Sequence, residues 1–516
     1  MDQIHRYRIL VLDFGGQYAQ LLARRIRELG VYCVLLPYDA APEQLMDVSP
    51  HGVILSGGPE SVQQFDSPKI PDAIWRMSCP ILGICYGMQA MAHALGGSVA
   101  STQVSEYGHT VIEVSPNTWL SNCVELTTSV WMSHQDQVVT CPPGFNIDAN
   151  SVHCDIVAFS HSEQQYYGVQ FHPEVTHTSE GFELLKYFVY ECCGCESFWT
   201  PQHIADQLIE DIRATVGEDH VVLGLSGGVD SAVTAALLQR AIGHQMTAIF
   251  VDNGLLRAGE ADEVEYVFVN QMGMNILRVD AQEQFLSALK GVSDPELKRK
   301  IVGREFVEVF QAQAKKLENV CWLAQGTIYP DVIESAGSAS GKAHVIKSHH
   351  NVGGLPDALS LKLLEPLREL FKDEVRKLGD VLGLPGALLH RHPFPGPGLS
   401  VRVLGEVKKE YLAMVRAADT ILIDELTSNN WYHRVAQALV VFLPVKTVGV
   451  VGDQRAYGYV LAIRVVETKD FMTATAAQLP EALIQKISTR IMNEVSGVTR
   501  VVYDVSSKPP ATIEWE

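Results

Sequence analysis

Residues 226–231 read Ser-Gly-Gly-Val-Asp-Ser and sit between two apolar runs. Val221-Val222-Leu223-Gly224-Leu225 precedes them, and Ala232-Val233-Thr234-Ala235-Ala236-Leu237-Leu238 follows. That order predicts a strand, a glycine turn and a helix. Small residues let several backbone N–H groups converge at the helix N-terminus, where the partial positive charge favours phosphate. Ser226 and Ser231 add hydroxyl donors, and Asp230 is suited to a magnesium ion. A tight turn alone needs one glycine and no hydroxyl–carboxylate set. The Walker lysine of G-x-x-x-x-G-K-[ST] is absent, so this is not the loop of a common kinase or GTPase.

The rest of the chain alternates strand and helix patterns. Strands are expected at 8–12, 31–36, 52–55 and 80–84, with an amphipathic helix at 18–29 ended by Gly30. Such alternation predicts a mostly parallel sheet with helices on both faces. Further strands are expected at 111–114, 137–139 and 166–171, and the pattern ends near 190–198. A second α/β unit opens with a helix near Pro201 and has strands at 246–251 and 320–323. Residues 335–357 are rich in Gly, Ser, His and Asn and read as a mobile loop. His392-Pro393-Phe394-Pro395-Gly396-Pro397-Gly398 suits neither helix nor central strand, which makes it a natural boundary. Beyond it come a helix (408–425), a strand (457–466), a helix (480–495) and a strand (500–504).

A length of 516 residues allows about two to four domains. The net charge of −20 disfavours broad binding to nucleic acid or anionic membrane, though not one small phosphate. The N-terminus lacks a signal-peptide core, and no apolar run reaches membrane-spanning length. Ten cysteines scattered over the chain do not make a disulfide scaffold. Cys192, Cys193 and Cys195 cluster without a second pair at zinc spacing. Reduced thiols and a cytoplasmic location are expected.

Gly83-Ile84-Cys85-Tyr86-Gly87 follows an apolar run and leads into a helical one. Glycines on both sides make room for a strained elbow that pushes the sulfur out of the sheet, beside a helix N-terminus that favours thiolate. Val169-Gln170-Phe171-His172-Pro173-Glu174 supplies the base: His172 takes the thiol proton, and Glu174 holds the imidazole tautomer. Oxyanion donors are expected from the N–H of Tyr86 and from Gly58 in Ser56-Gly57-Gly58-Pro59.

These elements resemble two families. Residues 1–197 resemble the class I glutamine amidotransferases, from Val11-Leu12-Asp13-Phe14-Gly15 to His172-Pro173-Glu174. The resemblance implies thiolate attack on a glutamine side-chain amide through a glutamyl-thioester, with Gln89, Ser133, His134 and Asp136 holding the glutamine. The loop at 226–231 resembles that of ATP pyrophosphatases, which release AMP and pyrophosphate and leave an adenylylated substrate. Ser226, Gly227, Gly228, Val229, Asp230, Ser231, Ala232 and Val251 would then contact ATP. Ammonia freed into neutral water becomes ammonium and loses its lone pair, so generating it beside its electrophile is an advantage.

Taken whole, the chain resembles the GMP synthetase family. The specific pieces are Gln325-Gly326-Thr327-Ile328-Tyr329-Pro330-Asp331, Lys347-Ser348-His349-His350-Asn351, the boundary at 392–398 and the ending at 507–516. The resemblance implies two doubly wound parallel-sheet α/β domains followed by a smaller α+β dimerisation domain, at 1–197, 198–391 and 392–516. It implies xanthosine monophosphate as acceptor, ATP with magnesium, no tightly bound organic cofactor, and a homodimer. Nucleotide contacts carry over to Arg299, Asp453, Arg455, Lys508, Ile513 and Glu514. Arg299, Arg455 and Lys508 suit phosphate; the carboxylates suit base N–H or sugar hydroxyl. His349 and His350 would lie in a lid. Two rivals stand beside this reading. One is another glutamine-dependent ligase of the pyrophosphatase type, such as an NAD synthetase or a sulfur-inserting RNA enzyme. The other is a nucleotide sensor without chemistry.

Overall fold

The computed structural model describes residues 3–332, 361–451, 453–468, 471 and 473–516. The chain folds into two compact units, Met1–Gln207 and Leu208–Glu516. The expected lid loop with His349 and His350 lies outside the described residues.

The first unit is built on one sheet. Its strands are β1 (Arg8–Asp13), β2 (Tyr32–Pro37), β3 (Gly52–Leu55), β4 (Ile81–Ile84), β5 (Ser98–Val114), β6 (Thr127–Thr140), β7 (Asn146–Ser151), β8 (Ala158–His161) and β9 (Tyr166–Val169). Among the described residues the spatial order is β2-β1-β3-β4-β9-β8-β7-β5-β6. The pairs from β2 through β9 are parallel, and the rest are antiparallel. Every residue of β3 and β4 is buried, as a parallel strand covered on both faces requires. In β6 buried residues alternate with partly exposed ones, the mark of a strand covered on one face. The short runs expected at 111–114 and 137–139 are pieces of β5 and β6. The first helix spans Ala19–Glu28, and Gly30 follows at φ +77°.

The second unit carries two sheets. The first holds β10 (His220–Leu225), β11 (Met246–Asp252), β12 (Ile276–Asp280), β13 (Val320–Ala324) and β14 (Lys362–Leu364), all parallel, in the order β12-β11-β10-β13-β14. The order reverses between β10 and β13, the place where such sheets leave a crevice for ligands. The second holds β15 (Gln437–Val451), β16 (Gln454–Glu467), β17 (Thr475–Ala476) and β18 (Val498–Tyr503), backed by helices Lys409–Ser428 and Glu481–Glu494. β15 is an addition to the expected elements. One continuous apolar core joins Val222, Ile249 and Leu323 to Val415, Phe442, Leu461 and Ile487. The expected division at 391/392 therefore falls inside a unit with a shared core. The proline-rich stretch there is packed: the guanidinium groups of Arg257 and Arg402 lie 4.8 and 5.0 Å from the centre of the Phe394 ring. Leu399 N donates to Leu255 O at 2.8 Å.

Candidate active sites

The run Ile81–Ile84 ends at Cys85, and a helix begins at Tyr86. Cys85 has φ +51° and ψ −108°, a strained backbone for a residue with a side chain. Its N–H donates to Val169 O at 2.8 Å, its carbonyl accepts from Gln89 N at 3.1 Å, and Gly87 N donates to Ser56 O at 3.1 Å. A Cβ on Gly87 would overlap the Leu55 carbonyl, so the elbow can press against β3 only with glycine there. The sulfur faces a cavity of about 860 Å³.

His172 follows β9, and its N–H donates to Trp131 O at 3.0 Å. Its Nδ1 meets Glu174 Oε1 at 2.8 Å, with both side chains buried. A carboxylate accepts, so Nδ1 carries the proton and Nε2 is left for the sulfur. The ring of Tyr18 stands edge-on to the imidazole at 5.1 Å. Burial opposes charge on His172, but hydrogen bonds to Cys85 and Glu174 and their negative charge outweigh it, and its pKa is pushed up to about 10. An imidazolium at neutral pH is the partner a reactive thiolate needs.

Gly58, Tyr86, Gln89, Ser133, His134 and Asp136 all line the same cavity. The Tyr86 phenol is turned away and donates to Pro68 O at 2.6 Å, so only the start of its helix faces the sulfur. Gln89 Nε2 donates to Asp136 O at 2.7 Å. The Asp136 carboxylate accepts from the hydroxyls of Ser61 and, at 2.5 Å, of Ser101. His134 Nε2 lies 3.3 Å from Glu106 Oε2, and burial lowers the His134 pKa despite that carboxylate. Sequence reasoning overlooked Ser61, Ser101, Glu106 and Gln170. For Gln170 a signal existed: a glutamine amid the apolar Val169 and Phe171.

The loop at 226–231 closes β10 at the reversal of strand order. Gly227 has φ +75°, and Gly228 precedes the helix Val229–Ile242. Ser226 and Ser231 hydroxyls meet at 2.9 Å, and Ser231 also donates to Gly228 O at 3.0 Å. Val229, Ala232 and Val251 are buried, so they meet a ligand through backbone or not at all. Gly326 packs against the Asp230 backbone, which sets the Gln325–Asp331 segment beside the loop. Lys372 Nζ lies 2.6 Å from Asp230 Oδ2. The cation missing from the loop's own sequence thus arrives from 142 residues downstream.

The six expected acceptor contacts form two groups. Arg299 bonds the Glu516 backbone oxygen. Glu514 takes a fork from Arg402 at 3.1 and 2.9 Å. Ile513 is buried, and Lys508 Nζ donates to Phe471 O at 2.6 Å. Asp453 and Arg455 are exposed at the tip of the β15–β16 hairpin. Lys508 pairs with Ala474, near the far end of β16. At ~3.3 Å per residue, β16 puts roughly 35 Å between Arg455 and that end. One chain does not bring the two groups together.

An elbow cysteine with a His–Glu pair on such a sheet defines a class of amide-hydrolysing enzymes, and residues 10–192 match the family model for class-I glutamine amidotransferases. Residues 202–307 match the NAD synthase model, and residues 424–515 match the model for the GMP synthase C-terminal domain. Over its whole length the chain is similar to glutamine-hydrolysing GMP synthases. Identity is 57% with that of Pseudomonas syringae pv. syringae and 58% with that of Ectopseudomonas mendocina, over 99% of both chains in each case. The chain belongs to the family of glutamine-hydrolysing GMP synthases.

Proposed function

We propose that this chain aminates xanthosine monophosphate at C2, turning ATP, glutamine and water into AMP, diphosphate, glutamate and GMP. One observation carries the reading. A cysteine elbow paired with His172 and a serine–glycine phosphate loop paired with Lys372 share a chain that resembles GMP synthases from end to end. Cys85 attacks the glutamine amide, and His172 gives its proton to the leaving ammonia. Glu174 keeps the imidazole aimed, and the N–H groups of Gly58 and Tyr86 receive the oxyanion. Gln89, Ser133, His134 and Asp136 hold the rest of the glutamine.

In the second unit the backbone and hydroxyls of Ser226–Ser231 grip the pyrophosphate, and Lys372 meets its charge. Asp230 fits magnesium, because its Oδ1 is buried without a hydrogen-bond partner. Magnesium would offset phosphate charge there. Arg299, Lys508, Ile513 and Glu514 form one part of the acceptor site. Asp453 and Arg455 reach it from a second copy of the chain, which the separation along β16 supports. Exposed Val448, Val450 and Tyr457 on the same hairpin suit burial in such a homodimer. Among the described residues no helix is long and apolar enough to cross a membrane. A cytoplasmic location completes the proposal.

The test is product analysis with xanthosine monophosphate, ATP, magnesium and glutamine, where AMP and GMP should appear together. Cys85→Ala should abolish glutamine-driven amination and spare ammonia-driven amination. ADP as the nucleotide product, or glutamine-driven turnover in Cys85→Ala, would contradict the reading.

A further inference from the structure

Gln170 is fully buried, and none of the roles above uses it. Both ends of its amide are engaged. Nε2 lies 3.6 Å from Cys85 Sγ, and Oε1 accepts from Gln89 Nε2 at 3.2 Å. The Gln89 nitrogen also donates to the backbone carbonyl of Asp136. A carbonyl can only accept, so the NH₂ end of Gln89 must face it. That NH₂ then requires an oxygen from Gln170, which turns the Gln170 N–H toward the sulfur. A backbone atom thus sets the direction of the whole relay.

On its other side Sγ meets Ser133 O at 3.6 Å. This carbonyl accepts from the thiol but repels the thiolate. Once the proton has passed to His172, the anion needs a donor to offset that carbonyl. We propose that Gln170 is a catalytic residue of glutamine hydrolysis, an uncharged hydrogen-bond donor to the Cys85 thiolate, and that Gln89 is the positioning residue that aims it. The proposal rests on Cys85 being the glutaminase nucleophile. An amide has no proton to give away at any working pH, so it steadies the sulfur without competing with His172. The titratable groups that line the cavity with the sulfur, or pair with those that do, are His172 and Glu174 after β9, His134 and Asp136 on β6, Glu106 and Tyr107 on β5, Tyr86 on the helix, Tyr18 just before the first helix and Glu60 in the loop after β3. None of these changes in the variants below.

Gln170→Met keeps bulk and removes the donor. Gln170→Glu keeps an acceptor for Gln89 and sets a carboxyl group against the sulfur. Peptide-resolved alkylation by iodoacetamide follows Cys85 among the other thiols, and glutamate release follows turnover. In Gln170→Met the Cys85 alkylation rate at pH 7 should fall about tenfold and recover as pH rises. Gln170→Glu should fall further. Glutamine kcat should drop with the alkylation rate while KM stays near its original value, which also reports an intact pocket. Ammonia-driven amination should not change. Gln89→Met should shift alkylation in the same direction by less, because the Gln170 amide is then free to turn over. An alkylation profile of Gln170→Met that overlays the unaltered protein overturns the proposal. So does a loss confined to KM, which would make Gln170 a wall of the pocket. Persistent glutamate release in Cys85→Ala would instead overturn the nucleophile assignment beneath it.

Discussion

Glu174→Gln preserves the shape of the side chain and still offers His172 an acceptor, but it removes the negative charge. The bond at stake is 2.8 Å long between two buried groups. The gap between an ordinary histidine at 6.5 and His172 at about 10 corresponds to about 5 kcal/mol in favour of the imidazolium. Burial acts against this sum, so the hydrogen bonds and charges of Cys85 and Glu174 supply more than the net. A charge-assisted hydrogen bond exceeds a neutral one by ~1–1.5 kcal/mol, about one pH unit. Because the folded pKa is raised, the imidazolium is fully held below pH 6.5 and is lost as pH climbs through about 10. Its contribution to stability fades over the same window. In Glu174→Gln the loss should come about one pH unit earlier. The assay is glutamate release against pH with nucleotides saturating, beside ammonia-driven amination as a control. The alkaline limb should move down by about one unit, and the control should not move. Coincident alkaline limbs for the two proteins would refute the assignment of Glu174 as the charge that holds His172.

Lys372→Met should cut AMP formation roughly a hundredfold with either nitrogen source, the scale for losing one fixed charge-stabilising group. Its melting temperature should barely change, because the ion pair with Asp230 is part-exposed and contributes little; unchanged AMP formation would remove Lys372 from the site. Gly87→Ala forces a Cβ onto the Leu55 carbonyl and should destabilise the first unit by ~1–3 kcal/mol, read by thermal denaturation. Arg402→Met breaks a pair whose arginine has no exposed surface and should cost about 3–5 kcal/mol. Limited proteolysis should then cut the C-terminal tail sooner, and an unaltered cleavage rate would show that Glu514 does not hold it down.

Much of this architecture is legible in one dimension. Strands buried on both faces, such as β3 and β4, are unbroken apolar runs. The turns after β4 and β10 need glycines at positions that also expose Cys85 and the serine hydroxyls. Chemistry and turn geometry therefore coincide within a few residues, where local sterics dominate. β15 escaped notice for the converse reason: Pro444 and a register slip between Leu443 and Lys446 break its pattern, and pairing with β16 restores it.

Groups that meet across long stretches of chain carry no such local sign. Gln170 reaches Cys85 because the adjacent parallel strands β4 and β9 deliver their carboxyl ends to one edge of a sheet, and Lys372 reaches Asp230 because the helix it opens, Lys372–Val381, packs on the helix Val229–Ile242. Either residue alone reads as a surface cation or a stray polar side chain. The acceptor residues show the same limit in reverse, since neighbours in one motif set can stand at opposite ends of β16. Spacing along the chain governs turns and faces, whereas hydrogen bonds and ion pairs form between atoms a few ångströms apart, a distance set by strand order and register.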